Sequence, residues 1–363
     1  MIFRPLPCTA TWLLCLLSLV ACRDDEARPD SGIDAGTLDT GAPAVDGSTP
    51  ATDWAVNIVV AGGPEAIRSF MEGGPDDGLL PITNAFYDAY EDDFDFLYLM
   101  AEVEGGTGRY MTAHRPAMPE NGLPSAASDA RYGSAGRLKG MVALRLGDSG
   151  NGPTLHETGH YWMNFLDRSL GFGQDLDRDW GPHWGASSVN GQLGGFDGDT
   201  VRCTSPEDAL PPCTSEPSGR IGYTTAPFGP AANGGDVVPY APLELYLMGL
   251  APAAEVATPL QVFIRPMFVE ELPSGRLSFE ADGIREVPLS EIIAIHGEKT
   301  PLPEDERSFR GAFVLVTETP ATEAQLARVR TWSRIFAGEE DSGGLLSFTD
   351  ATSGRAHMDT AIR

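Results

Sequence analysis

Residues 141–170 are MVALRLGDSGNGPTLHETGHYWMNFLDRSL, and they place a strand signal directly before a helix signal. Segment 141–146 is largely apolar and ends at a Gly-rich turn, which is the pattern of a buried strand. Over 154–170 the apolar side chains follow a helical period, and Gly171 is a suitable stop. The sequence therefore predicts a strand, a tight turn and a helix, with the polar HETGH of 156–160 on that helix.

His156 and His160 are four residues apart, so on a helix they differ by about 400° of rotation and leave the same face one turn apart. Two neutral imidazoles in this position can bind one Zn²⁺ at about 2.0–2.1 Å. The carboxylate of Glu157 would lie beside the ion, where it can take a proton from water. This is the HExxH pattern of zinc metallopeptidases. A second interpretation is that Thr154 and Glu157 form a capping box, in which Glu157 serves the helix N-terminus.

His183 is the best candidate for a third zinc ligand. It lies in the Gly- and Pro-flanked loop 180–185, WGPHWG, which can fold back toward the helix. The alternative role for His183 is a loop histidine that is hydrogen-bonded to the backbone. Glu244 and Asp236 are the other candidate ligands, because a carboxylate from a later segment can also complete such a site.

The longer HExxHxxGxxH motif of the metzincins is not matched. Met163 stands where that motif has Gly, and Leu166 stands where it has the third His. The Gly bends the chain in that family, so its absence predicts that the helix continues to about residue 170. The sequence is therefore not that of an ordinary metzincin.

Taken together, the chain resembles zincin-type bacterial metallopeptidases, loosely those of the immune-inhibitor-A type. The matching pieces are HETGH at 156–160, GQLGG at 191–195 and YAPLELYLMGL at 240–250. The resemblance implies an α+β fold with a zincin-like metallopeptidase domain. In such a domain a mixed sheet carries the active-site helix above an irregular, loop-rich lower part. It also implies bound zinc and an extended peptide substrate laid along an edge strand.

The expected function is that of a zinc-dependent endopeptidase. His156, His160 and His183 would hold the zinc, and Glu157 would act as the general base and return the proton to the leaving nitrogen. Two other classes stay open. One is a zinc hydrolase that acts on a non-peptide amide or ester, and the other is a non-catalytic surface lipoprotein that uses the fold for binding. The sequence specifies neither cleavage specificity nor oligomeric state.

The N-terminus has the pattern of an export signal. Arg4 precedes the apolar run 12–20, which is too short to span a bilayer comfortably and leads into LVAC, a sequence that resembles the bacterial lipobox. This predicts a signal peptide over 1–21, a lipid on Cys22 and a disordered tether over 22–52. The alternative is an ordinary signal peptide with an incidental cysteine. The expected location is the bacterial cell envelope, as an outer-membrane lipoprotein or at the cell surface.

The charge of the chain limits its partners. Its 363 residues carry a formal net charge of −27, which argues against binding to nucleic acid or to an anionic membrane surface. The expected partner is a peptide or protein substrate, with membrane contact only through the N-terminal lipid. The length suggests that residues 53–363 form the catalytic domain with a C-terminal α/β extension.

Two further features of the sequence concern structural support. Cys203 and Cys213 are close in sequence in an exported chain, so they predict a local disulfide. The alternating carboxylates of 175–179, and separately Asp197 and Asp199, suggest a Ca²⁺ site that is not an EF-hand. A solvated acidic loop is the alternative there.

The remaining secondary structure alternates irregularly between strands and helices. The sequence predicts strands over 55–61, 94–103 and 311–317, and helices over 82–90, 243–250 and 322–336. The last helix opens with a capping box, TEAQ at 322–325. The stretch 171–236 is expected to be irregular.

Overall fold

The structure is a computed structural model that describes residues 53–106, 108–112, 129–148, 152–163, 166, 168–175 and 180–363. The predicted signal peptide, Cys22 and the tether lie outside the described residues. Residues 176–179 of the acidic loop also lie outside them.

The helices and strands have the following bounds. The helices are α1 (Gly63–Met71), α2 (Leu80–Ala89), α3 (Thr154–Gly159), α4 (Pro242–Leu247), α5 (Leu289–His296), α6 (Glu323–Ala337) and α7 (Phe348–Ala351). The strands of the first half are β1 (Val56–Val59), β2 (Phe96–Ala101), β3 (Arg109–Thr112), β4 (Gly140–Arg145), β5 (Arg202–Cys203) and β6 (Ile221–Thr225). The strands of the second half are β7 (Leu260–Ile264), β8 (Met267–Glu271), β9 (Leu277–Ala281), β10 (Gly283–Val287), β11 (Ser308–Thr317) and β12 (His357–Asp359).

The main sheet is mixed and has the strand order β1-β11-β2-β4-β3, with β12 pairing beside β11. Strands β1, β11, β2 and β4 run parallel, and β3 joins the edge of β4 antiparallel. All six residues of β2 are buried, as expected for a parallel strand covered on both faces. The molecule is thus of the mixed α+β class predicted from the sequence.

The two faces of this sheet support two separate hydrophobic cores. Alternate residues of β2 belong to different cores, because neighbouring side chains on a strand point to opposite faces. Leu97 and Leu99 pack with α1 and α2, whereas Phe96 and Tyr98 pack with α3, α4 and α6. Helix α3, which carries HETGH, therefore rests on the second face of the sheet.

The C-terminal part of the chain contributes an inner strand to the main sheet. Strand β11 lies between β1 and β2 in the main sheet and is buried along most of its length. It is followed by α6, whose N-terminus has the predicted capping box, with Thr322 accepting from the Gln325 backbone N–H. Residues before α3 and residues after α4 thus build one sheet together.

The region from β5 to β10 contains more regular structure than the sequence suggests. Strands β5, β6, β9 and β8 form an antiparallel sheet, and β7 pairs with β10. Their core is aromatic and includes Phe196, Tyr223 and Phe263. A disulfide joins Cys203 of this sheet to Cys213.

The predicted helix over 154–170 is wrong in its length, because α3 ends at Gly159. The chain turns there, and Tyr161 and Trp162 pack against Phe96 under the sheet. Burial of these aromatic rings outweighs the helical pattern, as tertiary packing often does. In the described part of 160–170, the one helical element is a short 3₁₀ turn at Arg168–Leu170. None of the helices in the described part of the chain is both long and apolar enough to cross a membrane.

The central position of β11 can be tested with Phe313, which is fully buried and stacks on Tyr98 with 4.5 Å between ring centroids. Phe313→Ala should lower the free energy of unfolding by about 3–5 kcal/mol, because it leaves a cavity in the hydrophobic core that contains Phe96 and Tyr98. Phe268 is half exposed on the lower sheet, so Phe268→Ala is the matched control and should cost about 1 kcal/mol or less. The measurement is urea unfolding, and equal costs for both variants would contradict the topology.

Candidate metal centre

Three histidine rings converge on one point. His156 lies on α3, His160 is the C-cap residue of that helix, and His183 comes from the loop that precedes β5. The Nε2 atoms of His156 and His160 are 3.1 Å apart, and those of His156 and His183 are 3.2 Å apart. Among the described residues, these three form the group of His, Cys, Asp and Glu side chains that could hold a metal ion. The structure therefore brings together the three ligands predicted from the sequence.

Two of the three nitrogen–nitrogen separations are close to those of a tetrahedral cation site, and all three nitrogens lie within 4.8 Å of one another. Metal–nitrogen bonds of about 2.0–2.1 Å place tetrahedral ligand atoms about 3.3–3.4 Å apart. The observed separations of 3.1 and 3.2 Å are close to that edge length. On a bound tetrahedral cation three imidazoles would occupy one face and would leave a fourth position for water or substrate.

Backbone carbonyls orient two of the rings. His156 Nδ1 is 2.7 Å from the carbonyl oxygen of Gln192, and His183 Nδ1 is 2.6 Å from that of Trp180. A carbonyl oxygen can only accept, so both Nδ1 atoms carry the proton and both Nε2 atoms present a lone pair. Two lone pairs at 3.2 Å repel each other unless a cation lies between them. The donor set thus fits a bound metal.

Burial keeps these rings in the form that binds metals. Desolvation lowers the pKa of His156 to about 4. It also lowers the pKa of His183 to about 3, with a further contribution from the neighbouring His156. Removal from water disfavours the charged imidazolium, so both rings are neutral at pH 7. Neutral imidazole is the ligand form.

Glu157 lies next to the antiparallel edge strand β3. A Cβ atom at Gly108, the residue before β3, would be 3.1 Å from its Oε1, so the chain entering the strand passes close to the carboxyl group. Burial raises the pKa of Glu157 to about 8, against the opposing effects of the Tyr110 backbone N–H and of Arg109. A divalent cation nearby would act in the same direction as Arg109 and favour the carboxylate.

The alternative role of Glu157 in a capping box is not what the structure shows. The N-cap of α3 is Pro153, which provides no side-chain hydrogen bond. The Thr154 hydroxyl instead accepts from Trp332 Nε1–H at 3.2 Å. Glu157 is therefore not held at the helix N-terminus by a reciprocal cap.

Helix α3 is held from beneath by buried polar side chains. The Leu155 backbone N–H donates to Asp236 Oδ1 at 2.8 Å, and the Tyr240 hydroxyl donates to the Leu155 carbonyl at 2.6 Å. The hydroxyls of Tyr98 and Thr158 lie 3.2 Å apart. Six residues are too few for an independently stable helix, so these contacts fix its position.

The two carboxylates considered as alternative third ligands have other roles. Asp236 lies at the N-terminus of α3, and burial raises its pKa to about 7. Glu244 is fully buried and accepts hydrogen bonds from four N–H groups, among them those of Gln192 and Leu193. Neither belongs to the metal-binding group, so His183 takes the third place.

The acidic residues considered for calcium have local contacts. Asp197 accepts from the Asp199 backbone N–H at the start of a 3₁₀ turn. Asp175 accepts from Trp180 Nε1–H. Calcium binding in this region stays a prediction from the sequence.

The sequence did not identify the backbone partners of the site. Gln192 orients His156 through its carbonyl oxygen, which every residue possesses, so no side-chain pattern indicates it. The Gly-rich segment 191–195 was the one available signal, because it allows close approach of the backbone.

Comparisons with protein-family models, with curated proteins and with solved structures gave no match to this chain.

The metal site can be tested by metal analysis of purified protein. His156→Ala, His160→Ala and His183→Ala should each reduce bound zinc from about one ion per chain to a small fraction, since two imidazoles bind far more weakly than three. His357 is exposed, and His357→Ala is the control that should keep full occupancy. Full occupancy in His183→Ala would show that the loop histidine is not a ligand.

Proposed function

We propose that this protein is a zinc-dependent endopeptidase with a zincin-like domain. The observation that carries the proposal is the convergence of three histidine nitrogens within 4.8 Å of one another, with the buried Glu157 next to His156 in the chain. Three neutral nitrogen ligands with one open position are typical of catalytic zinc rather than structural zinc, which is usually closed by four protein ligands.

The residues that would hold the metal are His156, His160 and His183. When bound, zinc supplies Lewis acidity, which lowers the pKa of a water ligand to about 7 and polarises a substrate carbonyl. The carbonyls of Gln192 and Trp180 keep two of the rings in the required tautomer.

Glu157 would act as the general base and then as the general acid. Glu157 directly follows His156 on α3, and its burial limits the access of bulk water to the carboxyl group. Burial raises the pKa of Glu157, whereas a bound divalent cation would lower it, so the two effects together would suit a carboxylate that accepts a proton near neutral pH. The same proton is then available for the leaving nitrogen of the scissile amide.

The edge strand β3 supports an extended peptide as the substrate. It pairs with β4 on one side, and its other edge has no strand partner among the described residues. The Tyr110 ring on this strand is 6.5 Å from the His160 ring, so a chain added at that edge would pass the metal ligands. Main-chain hydrogen bonds to an open edge are a general mode of peptide recognition.

We also propose that the protein is anchored to the bacterial cell envelope through lipid on Cys22. The support is the signal-like segment 1–21 followed by a cysteine and a polar, Gly- and Pro-containing stretch. A disulfide between Cys203 and Cys213 agrees with an oxidising compartment outside the cytoplasm.

The proposed activity is tested with Glu157→Gln. The variant should keep its zinc and lose about 10²–10⁴-fold in kcat, because the amide cannot accept the proton. The exposed Glu298→Gln is the matched control and should retain wild-type activity. The assay uses fluorescence-quenched peptide mixtures together with an ester and amide panel.

Three outcomes would contradict the proposal. Wild-type rates in Glu157→Gln would exclude this residue as the base. Turnover of the esters or non-peptide amides alone would exclude a peptidase. A zinc-loaded wild type that cleaves nothing would favour a binding role.

The anchor is tested with Cys22→Ser in a bacterial host. The wild type should be labelled by radioactive palmitate and remain in the membrane fraction, whereas the variant lacks the acyl acceptor and should be unlabelled. Equal labelling of both proteins would exclude Cys22 as the acylated residue.

A further inference from the structure

Glu244 on α4 is a fully buried carboxylate that the proposed chemistry does not use. It accepts hydrogen bonds from the backbone N–H groups of Gln192, Leu193 and Ala241 and from Trp184 Nε1–H, all at 2.8–2.9 Å. All four donors are neutral, so they solvate the carboxylate without cancelling its charge. Such a group is costly to bury, which makes its position informative.

One of these donors links Glu244 to a metal ligand through a single peptide group. The Leu193 N–H donates to Glu244 Oε1, and the carbonyl of the same peptide unit, that of Gln192, faces His156 Nδ1–H at 2.7 Å. A chain of hydrogen bonds therefore runs from the carboxylate through the peptide to the imidazole. A peptide group that donates to an anion becomes a stronger acceptor at its oxygen, because hydrogen bonds in series polarise one another.

A second set of hydrogen bonds connects Glu244 and the 191–195 turn to the loop that carries His183. Trp184, the next residue along the chain, donates its indole N–H to Glu244 Oε1 at 2.8 Å. Its backbone N–H donates to the Leu193 carbonyl, also at 2.8 Å. The same carboxylate and the same turn thus fix both the orientation of His156 and the approach of His183.

We propose that Glu244 is the positioning residue of the metal centre: it aligns His156 through the Gln192–Leu193 peptide and aligns His183 through Trp184. The inference rests on the metal site of the proposed function. In many metal sites a carboxylate contacts a ligating histidine directly, and such partners orient the ring and increase its basicity. Here a peptide group lies between the two, so one carboxylate serves two ligands.

Gly191 offers a way to disturb this arrangement without removing the carboxylate. A Cβ atom at position 191 would lie well inside van der Waals contact with the Glu244 carboxyl group. Gly191→Ala should therefore displace the carboxylate while preserving its charge. Glu244→Gln does the opposite, because it keeps the volume and removes the charge and one acceptor oxygen.

The experiment measures Zn²⁺ affinity of the metal-free full-length chain by competition with a chromophoric chelator. Glu244→Gln and Gly191→Ala should each bind Zn²⁺ about 10–100-fold more weakly than the wild type, the usual effect of losing such a partner. Co²⁺ bound to each variant should show altered visible bands, since the bands report ligand geometry. A merely structural role would leave these bands unchanged.

Asp95→Asn is the matched control. Asp95 is also a buried carboxylate, but it is satisfied by Arg137, Lys139 and the Arg310 backbone N–H. This variant should lose stability in urea and keep Zn²⁺ affinity within about twofold of the wild type, because its partners do not reach the histidines.

The outcomes separate this inference from the proposed function. Wild-type Zn²⁺ affinity in both Gly191→Ala and Glu244→Gln would overturn the role of Glu244, and so would an equal loss in Asp95→Asn. If Glu244→Gln does not fold, Gly191→Ala decides alone. A wild type that binds no metal would overturn both proposals. Weakened binding in the two variants of a zinc protein without peptidase activity would support this inference and contradict the peptidase.

Discussion

The arrangement of the site depends on three imidazole nitrogens that face one another in a buried place. His156 and His183 both direct an unprotonated Nε2 to the same point, because their Nδ1 atoms are occupied by backbone carbonyls. Without a cation these lone pairs repel at 3.2 Å and find no donor in each other. With a cation they become ligands. The hydrogen-bonding pattern therefore favours a cation at this point, independently of any motif.

The scaffold explains how a short helix can hold this geometry. Helix α3 has six residues, and it is fixed by the sheet on one side and by Asp236 and Tyr240 on the other. Its early end at Gly159 lets the chain turn and bury two aromatic rings. The third histidine, His183, lies on a separate loop that is linked to α3 through the 191–195 turn. Segments from the middle third of the chain therefore form the site. The sheet that supports them is completed by strands from the N-terminal and C-terminal thirds.

The sequence predicted the features that have a local signature. The strand before α3, the HExxH helix start and the capping box of α6 each follow from spacing and residue type, and the structure shows all three. His183 was identified because glycine and proline on both sides predict a loop that can fold back. These inferences need no knowledge of distant parts of the chain.

The features that the sequence did not predict depend on long-range contacts. The helix pattern over 154–170 was overridden by aromatic packing against Phe96 and Phe309. Insertion of β11 between β1 and β2 joins residues more than two hundred positions apart, which no local pattern encodes. Glu244 was a candidate ligand by residue type. It accepts hydrogen bonds instead from four N–H groups of three different segments, which is the basis of the proposed supporting role.

The most direct test of the central claim is zinc K-edge X-ray absorption on the purified wild-type protein. The account predicts one bound zinc whose first shell consists of about four nitrogen or oxygen atoms at about 2.0–2.1 Å. Outer-shell scattering should fit three imidazole rings. A first shell that contains sulfur, a fit with fewer than three imidazoles, or protein that retains no metal would contradict it.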